Sequence, residues 1–425
     1  MQDNKRILAQ GEFISNSTRL TGINNNDLII GPSGAGKTRG YVKPNIMQCN
    51  ESMVIADTKG SLREEFEPLL LRHGYHVIGL DFTDTLGSDG YNPLDYIRYD
   101  TRRGKFLEQD IQSLCAALVP LGDQRDRFWD ESARTLLACL VGYVLEALPP
   151  KEHTLEYVAK LFTAEEDNLP GGPPQRLYCQ LLREFAQEQP ESFAAQQFRF
   201  YSVLRGTEKT DASVQAFVSR ALAPLSYDGP LHMYSCEKRV DFRALGREKT
   251  AIFLTVSDTD RAMDGLANLF YTQALQTLCA SADKDYPDHR LPVPVRFILD
   301  DFATNVRIPN FDKIISVIRS REICVSIILQ SISQLTSIYG HSESMTIINN
   351  CDNCLYLGGQ DVETARYIAA KANKTADTIL NMSLNQAYLF TRGRKAKMVE
   401  KYDIRTHEAY GELPEASWHD GREPL

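Results

Sequence analysis

The sequence predicts an α/β protein, a doubly wound and mostly parallel sheet carrying an all-helical insert. Three observations support this fold class. Short apolar runs with the residue types of buried strands recur along the chain, and helix-like stretches separate many of them. One such run, 27–30, leads into a glycine-rich turn at 31–38 that opens a helix-compatible segment. From about 102 to 236 the strand-like runs vanish and helical periodicity takes over.

The glycine-rich turn reads Gly31-Pro32-Ser33-Gly34-Ala35-Gly36-Lys37-Thr38 and satisfies the full G-x-x-x-x-G-K-[ST] pattern of a phosphate-binding loop. A backbone that turns its N–H groups onto a phosphate needs positive φ and little side-chain bulk, and the helix that follows adds its positive dipole end. Lys37 is placed to reach the β and γ phosphates of ATP, and Thr38 to put its hydroxyl on Mg²⁺. The segment from 37 to 49 is compatible with a helix, weakened or kinked by Gly40 and Pro44.

Further strand-like runs lie at 53–56, 76–80, 251–256, 323–329, 354–357 and 387–390, all expected to be parallel. The run 295–299 ends in Asp300-Asp301. With a phosphate loop upstream, Asp300 is the candidate metal-side acid for Mg²⁺ and Asp301 the candidate base or water-positioning residue. Gln330 closes the next strand, where an amide can sense the γ phosphate. Asp57-Thr58-Lys59-Gly60 follows the second strand, and Asp57 and Lys59 fit a turn as well as a site.

Lys37 and Asp300 stand 263 positions apart, more than a compact nucleotide-binding core requires. The expected organisation is therefore a nucleotide-binding domain in two parts, 1–101 and 237–425, interrupted by an all-α domain at 102–236. Within the insert, helices are expected over 106–119, 128–148, 154–162, 176–187 and 192–225, with a loop at 169–174.

Composition limits the partners. Forty-seven Lys and Arg against 56 Asp and Glu leave a net charge of -9, so no bulk cationic field draws the chain onto nucleic acid or anionic lipid. The densest basic clusters, Arg392/Arg394/Lys395/Lys397 and Arg102/Arg103/Lys105, fit a solvated surface or a phosphate-backbone contact. The longest apolar stretch, 136–148, contains Gly142 and Glu146 and falls short of the roughly 20 residues of a membrane span. Nine scattered cysteines argue for reduced thiols in a cytoplasm. Cys351-Asp352-Asn353-Cys354 is a lone C-x-x-C with no second pair, which reads as buried or turn thiols rather than zinc ligands. Arg319 and Arg321 close the helix after the acidic pair, as helix C-terminal cations or as arginines presented to a neighbour's γ phosphate.

Taken with these residues, the chain resembles the type IV secretion coupling proteins, the TraG-like conjugation ATPases, in the form carried by conjugative elements of Gram-positive bacteria. The resemblance runs from about residue 18 to 410. It is carried by Asn24-Asn25-Asn26, Tyr41-Val42-Lys43-Pro44-Asn45, Ile55-Ala56-Asp57-Thr58-Lys59-Gly60, Tyr91-Asn92-Pro93-Leu94 and Phe128-Trp129-Asp130-Glu131-Ser132-Ala133. Leu299-Asp300-Asp301-Phe302-Ala303, Ile308-Pro309-Asn310-Phe311, residues 316–322, Leu329-Gln330-Ser331, Gln334-Leu335 and Asn350-Cys351-Asp352 complete it. The resemblance implies a RecA-like motor with an inserted all-α domain, a homo-hexameric ring, and ATP hydrolysis that drives relaxase-bound, single-stranded DNA towards a secretion channel. It matches Lys37 and Thr38 to the phosphate-loop pair, Asp300 to the metal-associated acid, Arg319 to an arginine acting in trans and Gln330 to the polar residue after the next strand. The family usually has Asp-Glu where this chain has Asp300-Asp301. It also usually begins with a membrane-spanning segment, whereas 30 residues precede Gly31. The expectation is a cytoplasmic protein, peripheral at the inner face of the membrane through a membrane-embedded channel or anchor protein, or one whose anchor has been left off. Two alternatives accompany this reading: an ATPase for protein cargo without DNA contact, and a nucleotide-binding adaptor with little turnover.

Overall fold

The computed structural model describes residues 4–121, 127–164, 176–257, 259–302 and 307–414. The loop expected at 169–174 and Ala303 lie outside them.

Thirteen strands are numbered in chain order among the described residues. They are β1 Lys5–Ala9, β2 Glu12–Ser15, β3 Asp27–Ile30, β4 Ser52–Ala56, β5 His76–Asp81, β6 Tyr99–Asp100, β7 Lys105–Phe106, β8 Thr250–Thr255, β9 Val295–Leu299, β10 Ile323–Leu329, β11 Asn353–Tyr356, β12 Gln386–Thr391 and β13 Lys397–Glu400. Nine of them form one sheet in the order β13-β12-β11-β3-β10-β9-β4-β8-β5. The seven strands from β11 to β5 are parallel. β3, β8, β9, β10 and β11 are buried along their whole length, as near-continuous apolar runs in a sheet covered on both faces should be. The α/β, doubly wound class is thus observed.

One strand direction departs from expectation. The run 387–390 lies in β12, which pairs antiparallel with β11, Tyr356 opposite Tyr388 and Asn353 opposite Thr391. The helix Val362–Ala372 stops at Asn373 in the left-handed conformation, and the short helix Ala376–Leu380 follows. The chain then re-enters the sheet at its carboxyl edge, and β13 pairs antiparallel with β12 as the outer strand.

The chain forms two compact units, Met1–Thr83 with Asp241–Thr259 and Leu275–Leu425, and Asp84–Val240 with Asp260–Ala274. The helical unit therefore begins at Asp84 rather than 102, ends at Val240 rather than 236, and includes a later segment. The cause is local. Tyr91 is fully buried, donates its hydroxyl to Gln273 Oε1 at 2.6 Å and meets the edge of the Phe270 ring at 5.6 Å. Residues 84–101 thus belong with the helices although they are not helical in sequence.

Inside that unit the helix Arg127–Ala147 is central. Gly142 on it permits close approach of the helix Phe193–Leu204, since a Cβ there would sit 3.0 Å from the Phe193 ring and 3.3 Å from Ala194 Cα. Glu146 accepts from the backbone N–H groups of Phe193 and Ala194, both at 3.0 Å, capping the same helix. The two residues that interrupt the apolar stretch 136–148 thus dock one helix on another. The stretch 192–225 is not one helix; it divides into Phe193–Leu204 and Glu208–Leu222, with Thr207 capping the second. No helix among the described residues is long and apolar enough to cross a membrane.

Candidate functional site

The phosphate loop leaves β3 at Gly31. Gly34 and Gly36 take φ of +77° and +87°, a region that costs other residues dearly. A Cβ on Gly31 would lie 3.0 Å from both Ala35 Cβ and Leu357 Cβ, so this glycine lets the loop pack against the end of β11. The following helix begins as a π-turn, Thr38–Val42, and becomes α-helical over Lys43–Met47, with Pro44 in its first turn. The weakness expected at Gly40 and Pro44 is thus realised as a widened first turn. Tyr41 fixes it from below, its hydroxyl 2.6 Å from Asp27 Oδ2 and 2.8 Å from Ser326 Oγ. Asn45 bonds both the N–H and the C=O of Ile7 in β1 at 2.9 Å.

β10 separates β3 from β9, and the register places Leu329 beside Ile30 and Ile327 beside Leu299. The end of β9 thus stands two residues short of that of β3, and Asp300, the next residue, meets the phosphate-loop helix: Thr38 Oγ1 donates to Asp300 Oδ2 at 2.8 Å. Lys37 Nζ donates to the carbonyls of Gly31 and Pro32 at 2.8 and 3.1 Å. Burial raises the Asp300 carboxyl above its usual range, with the Thr38 hydrogen bond opposing, the neighbouring Asp301 adding to the rise and Lys37 opposing it. Asp301 sits in the left-handed conformation at φ +49°, and its N–H donates to Asp300 Oδ1 at 3.1 Å. This left-handed backbone ends the strand direction at Asp301, and Asp is among the non-glycine residues that adopt it most readily.

A cavity of about 470 Å³ collects Ser33, Gly34, Gly36, Lys37, Thr38, Asp300, Asp301 and Gln330. The structure thus brings together the expected phosphate-loop, acidic and polar positions. Asp57 and Lys59, ambiguous in sequence, now separate. Both line the cavity, but the buried Asp57 carboxylate accepts from the N–H of Arg63 at 2.9 Å in the first turn of the helix Ser61–Arg72, whereas Lys59 is exposed. Burial raises the Asp57 carboxyl above its usual range, and the backbone bonds it accepts from Arg63 and its neighbours oppose that rise.

Arg319 lies elsewhere. It belongs to a 3-10 turn, Ile318–Arg321, at the amino end of β10, opposite the end that carries Gln330. Its Nη2 donates to Gly22 O at 3.1 Å, and it lines a separate cavity of about 260 Å³ with Thr18, Arg19, Arg290 and Ser320. Arg321 pairs with Asp283 at 2.8 Å and is held within the fold.

Several expected features have structural roles. Cys351 and Cys354 are buried, with burial raising Cys354 to about 11, and no cluster of three metal-ligand side chains occurs among the described residues. Of the basic cluster after β12, Arg392 pairs with Asp352 at 3.4 Å and Lys397 with Glu12 at 3.1 Å. Asn26 bonds Val325 N and Asn350 O, stitching the amino ends of adjacent strands.

The residues after β13 also reach the site, with no signal in the sequence to mark them. Lys401 Nζ donates to Ala35 O at 2.9 Å, and Ile404 and Tyr410 line the phosphate cavity. They stand more than 360 positions from the loop and carry no motif.

A glycine loop between a strand and a helix, paired across one strand with a half-buried acid, defines a P-loop nucleotide-binding protein of the doubly wound α/β class. The chain belongs to the family of type IV secretory system conjugative DNA transfer proteins, which it matches over residues 3–408. It is 24% identical over 373 residues to protein VirD4 of Rhizobium radiobacter, covering 85% of this chain and 50% of that one. It is also 24% identical over 367 residues to the conjugal transfer protein TraG of Escherichia coli, covering 82% of this chain and 55% of that one. The chain therefore spans about half the length of these relatives. The plasmid coupling protein TrwB has the same fold: its complex with the ATP analogue ADPNP superposes with a TM-score of 0.68 at 17% identity, covering 95% of this chain and 90% of that one. TrwB has also been seen with a GTP analogue and with ADP and Mg²⁺.

Proposed function

We propose that this chain is an ATPase that couples hydrolysis to DNA transfer in conjugation, moving relaxase-bound DNA towards a type IV secretion channel. The observation that carries the catalytic part is the convergence of Lys37, Thr38, Asp300 and Asp301 on one cavity, with the Thr38 hydroxyl against the Asp300 carboxylate. Family membership supports the DNA-transfer part.

A hydroxyl beside a half-buried carboxylate is the hard-oxygen donor pair that Mg²⁺ takes, so Thr38 and Asp300 would hold the ion, Asp300 directly or through water. Bound there, Mg²⁺ would neutralise charge on the phosphate oxygens. Lys37 moves from the loop carbonyls to the β and γ phosphates. Asp301 orients a water in line with the γ phosphorus and accepts its proton as the new P–O bond forms and the bond to the bridging oxygen breaks. Gln330 senses the γ phosphate from the end of β10.

Arg319, remote from its own chain's phosphate cavity, serves a neighbouring copy in a homo-hexameric ring. The helical unit selects cargo, the ring's pore meets DNA, and a membrane-embedded partner receives the complex.

Purified protein should hydrolyse ATP faster with DNA than without, and Lys37→Ala should abolish both rates. Activity indifferent to single- and double-stranded DNA would transfer the reading to protein cargo. Intact ATP binding without turnover would make the chain an adaptor.

A further inference from the structure

We infer that Asp361 is a positioning residue for Gln330: with Ser333 and Thr364 it locks the turn that carries the amide, and it acts on turnover through that amide alone. This rests on the reading of Gln330 as the group that senses the γ phosphate, and extends it to residues outside the phosphate cavity.

The need for a lock comes from Gln330 itself. Its side chain lines the cavity and is exposed, and its amide has no hydrogen bond among the described residues, so its aim is set by the backbone that carries it. The Gln330 N–H donates to Gln334 Oε1 at 3.2 Å, and Ser331 Oγ accepts from Gln334 N at 3.2 Å, capping the helix Ile332–Asn349. Those bonds are local and leave the turn free to move with its own helix.

The bonds to the next helix are of another kind. Asp361 caps the helix Val362–Ala372 by accepting from Thr364 N at 2.8 Å. The same carboxylate accepts from Thr364 Oγ1 at 2.5 Å, and that hydroxyl accepts in turn from Ile332 N at 2.9 Å, two residues past Gln330. Ser333 Oγ stands 3.1 and 3.0 Å from the two Asp361 oxygens, with Glu363 Oε2 as a further acceptor at 3.0 Å. Burial would raise the Asp361 carboxyl, but the bonds from Thr364 and Ser333 outweigh it and hold the group below its usual range. An ionised acceptor makes each of these bonds stronger than one between neutral groups.

The lock spans the phosphate loop. In the sheet β3 lies between β11 and β10, and Asp361 follows β11 while Gln330 follows β10. Both flanking strands also hold the base of the loop: Gly31 N donates to Leu329 O at 3.0 Å, and Leu357 N to Ile30 O at 2.8 Å. Joining the two flanking turns therefore fixes the amide relative to the loop, where a misplacement of about 1 Å lowers turnover heavily.

The test is steady-state ATP hydrolysis by the full chain carrying Ser333→Ala, which leaves the Asp361 cap of its own helix intact, or Asp361→Ala, each alone and combined with Gln330→Ala. Each single variant should lower kcat about ten-fold with KM for ATP within about two-fold of wild type. Ser333→Thr, which keeps the hydroxyl, should restore kcat. In the Gln330→Ala background neither Ser333→Ala nor Asp361→Ala should lower kcat further, a non-additivity that a general loss of stability does not produce. Full additivity, or an unchanged kcat in Ser333→Ala beside a slowed Gln330→Ala, would overturn the inference and leave the ATPase reading standing. A normal rate in Gln330→Ala would overturn the sensor role and this inference with it, whereas a wild-type chain with no turnover would remove the ATPase reading on which both rest.

Discussion

The Thr38 hydroxyl donates to Asp300 Oδ2 at 2.8 Å across 262 positions of sequence. The bond ties the first turn of the phosphate-loop helix to the end of β9 and holds the two expected Mg²⁺ donors at one point. Thr38→Ala and Asp300→Asn should each lower turnover by two orders of magnitude or more, an effect of about 3 kcal/mol on the barrier. Nucleotide binding measured without Mg²⁺ should change little. A variant that hydrolyses ATP at the wild-type rate at limiting Mg²⁺ would take its residue out of the metal site.

Asp301 offers a carboxylate one methylene shorter than the glutamate usual in the family, from a left-handed backbone at φ +49°. Asp301→Asn should abolish hydrolysis while sparing ATP affinity, because the amide keeps the shape but cannot take the proton. Single-turnover kinetics separates the two steps, and unchanged hydrolysis would remove Asp301 from catalysis.

For Arg319 the expectation concerns mixtures. Arg319→Ala should lose activity in the pure state and regain part of it on mixing with Lys37→Ala subunits, since each supplies what the other lacks. Subunit exchange is verified first, by energy transfer between labelled copies. Failure to rescue across mixing ratios, with exchange demonstrated, would defeat a shared site.

Local patterns made the core of this site legible. The strands are apolar runs, the phosphate loop is a contiguous motif, and Asp300 marks a strand end, so each could be found from its own neighbourhood. Features set by distant contacts could not. The direction of β12 depends on where the chain re-enters after Asn373, and residues 84–101 join the helical unit because Tyr91 finds Gln273 and Phe270. Tyr410 and Lys401 reach the cavity through the packing of an irregular segment. Arg6 and Arg296 are another such case: charged residues within strands, they are 1% and 0% exposed because Asp27 and Glu51 meet them in the interior.

That buried network yields the last prediction. Arg6 Nε and Nη2 donate to the two oxygens of Asp27 at 2.6 and 3.0 Å, and Arg296 stands 3.6 Å away. Tyr41 adds a bond to the same carboxylate, linking the phosphate-loop helix to the base of β3. Burial alone would raise the Asp27 carboxyl, but Arg6 and Arg296 with their hydrogen bonds outweigh it and leave the group below the usual carboxylate range. A depressed folded pKa means that the stabilisation is present above the unfolded value, near 3.8, and is lost as pH falls through the lower folded value. Asp27→Asn leaves two buried guanidinium groups short of a countercharge, so it should cost about 3–5 kcal/mol at neutral pH. The difference between variant and wild type should shrink as the medium is acidified past the usual carboxylate range. Urea midpoints of both proteins, followed from neutral pH into acid, check this. Parallel curves with a constant offset would show that the Asp27 charge is not what ties the phosphate-loop helix to the sheet.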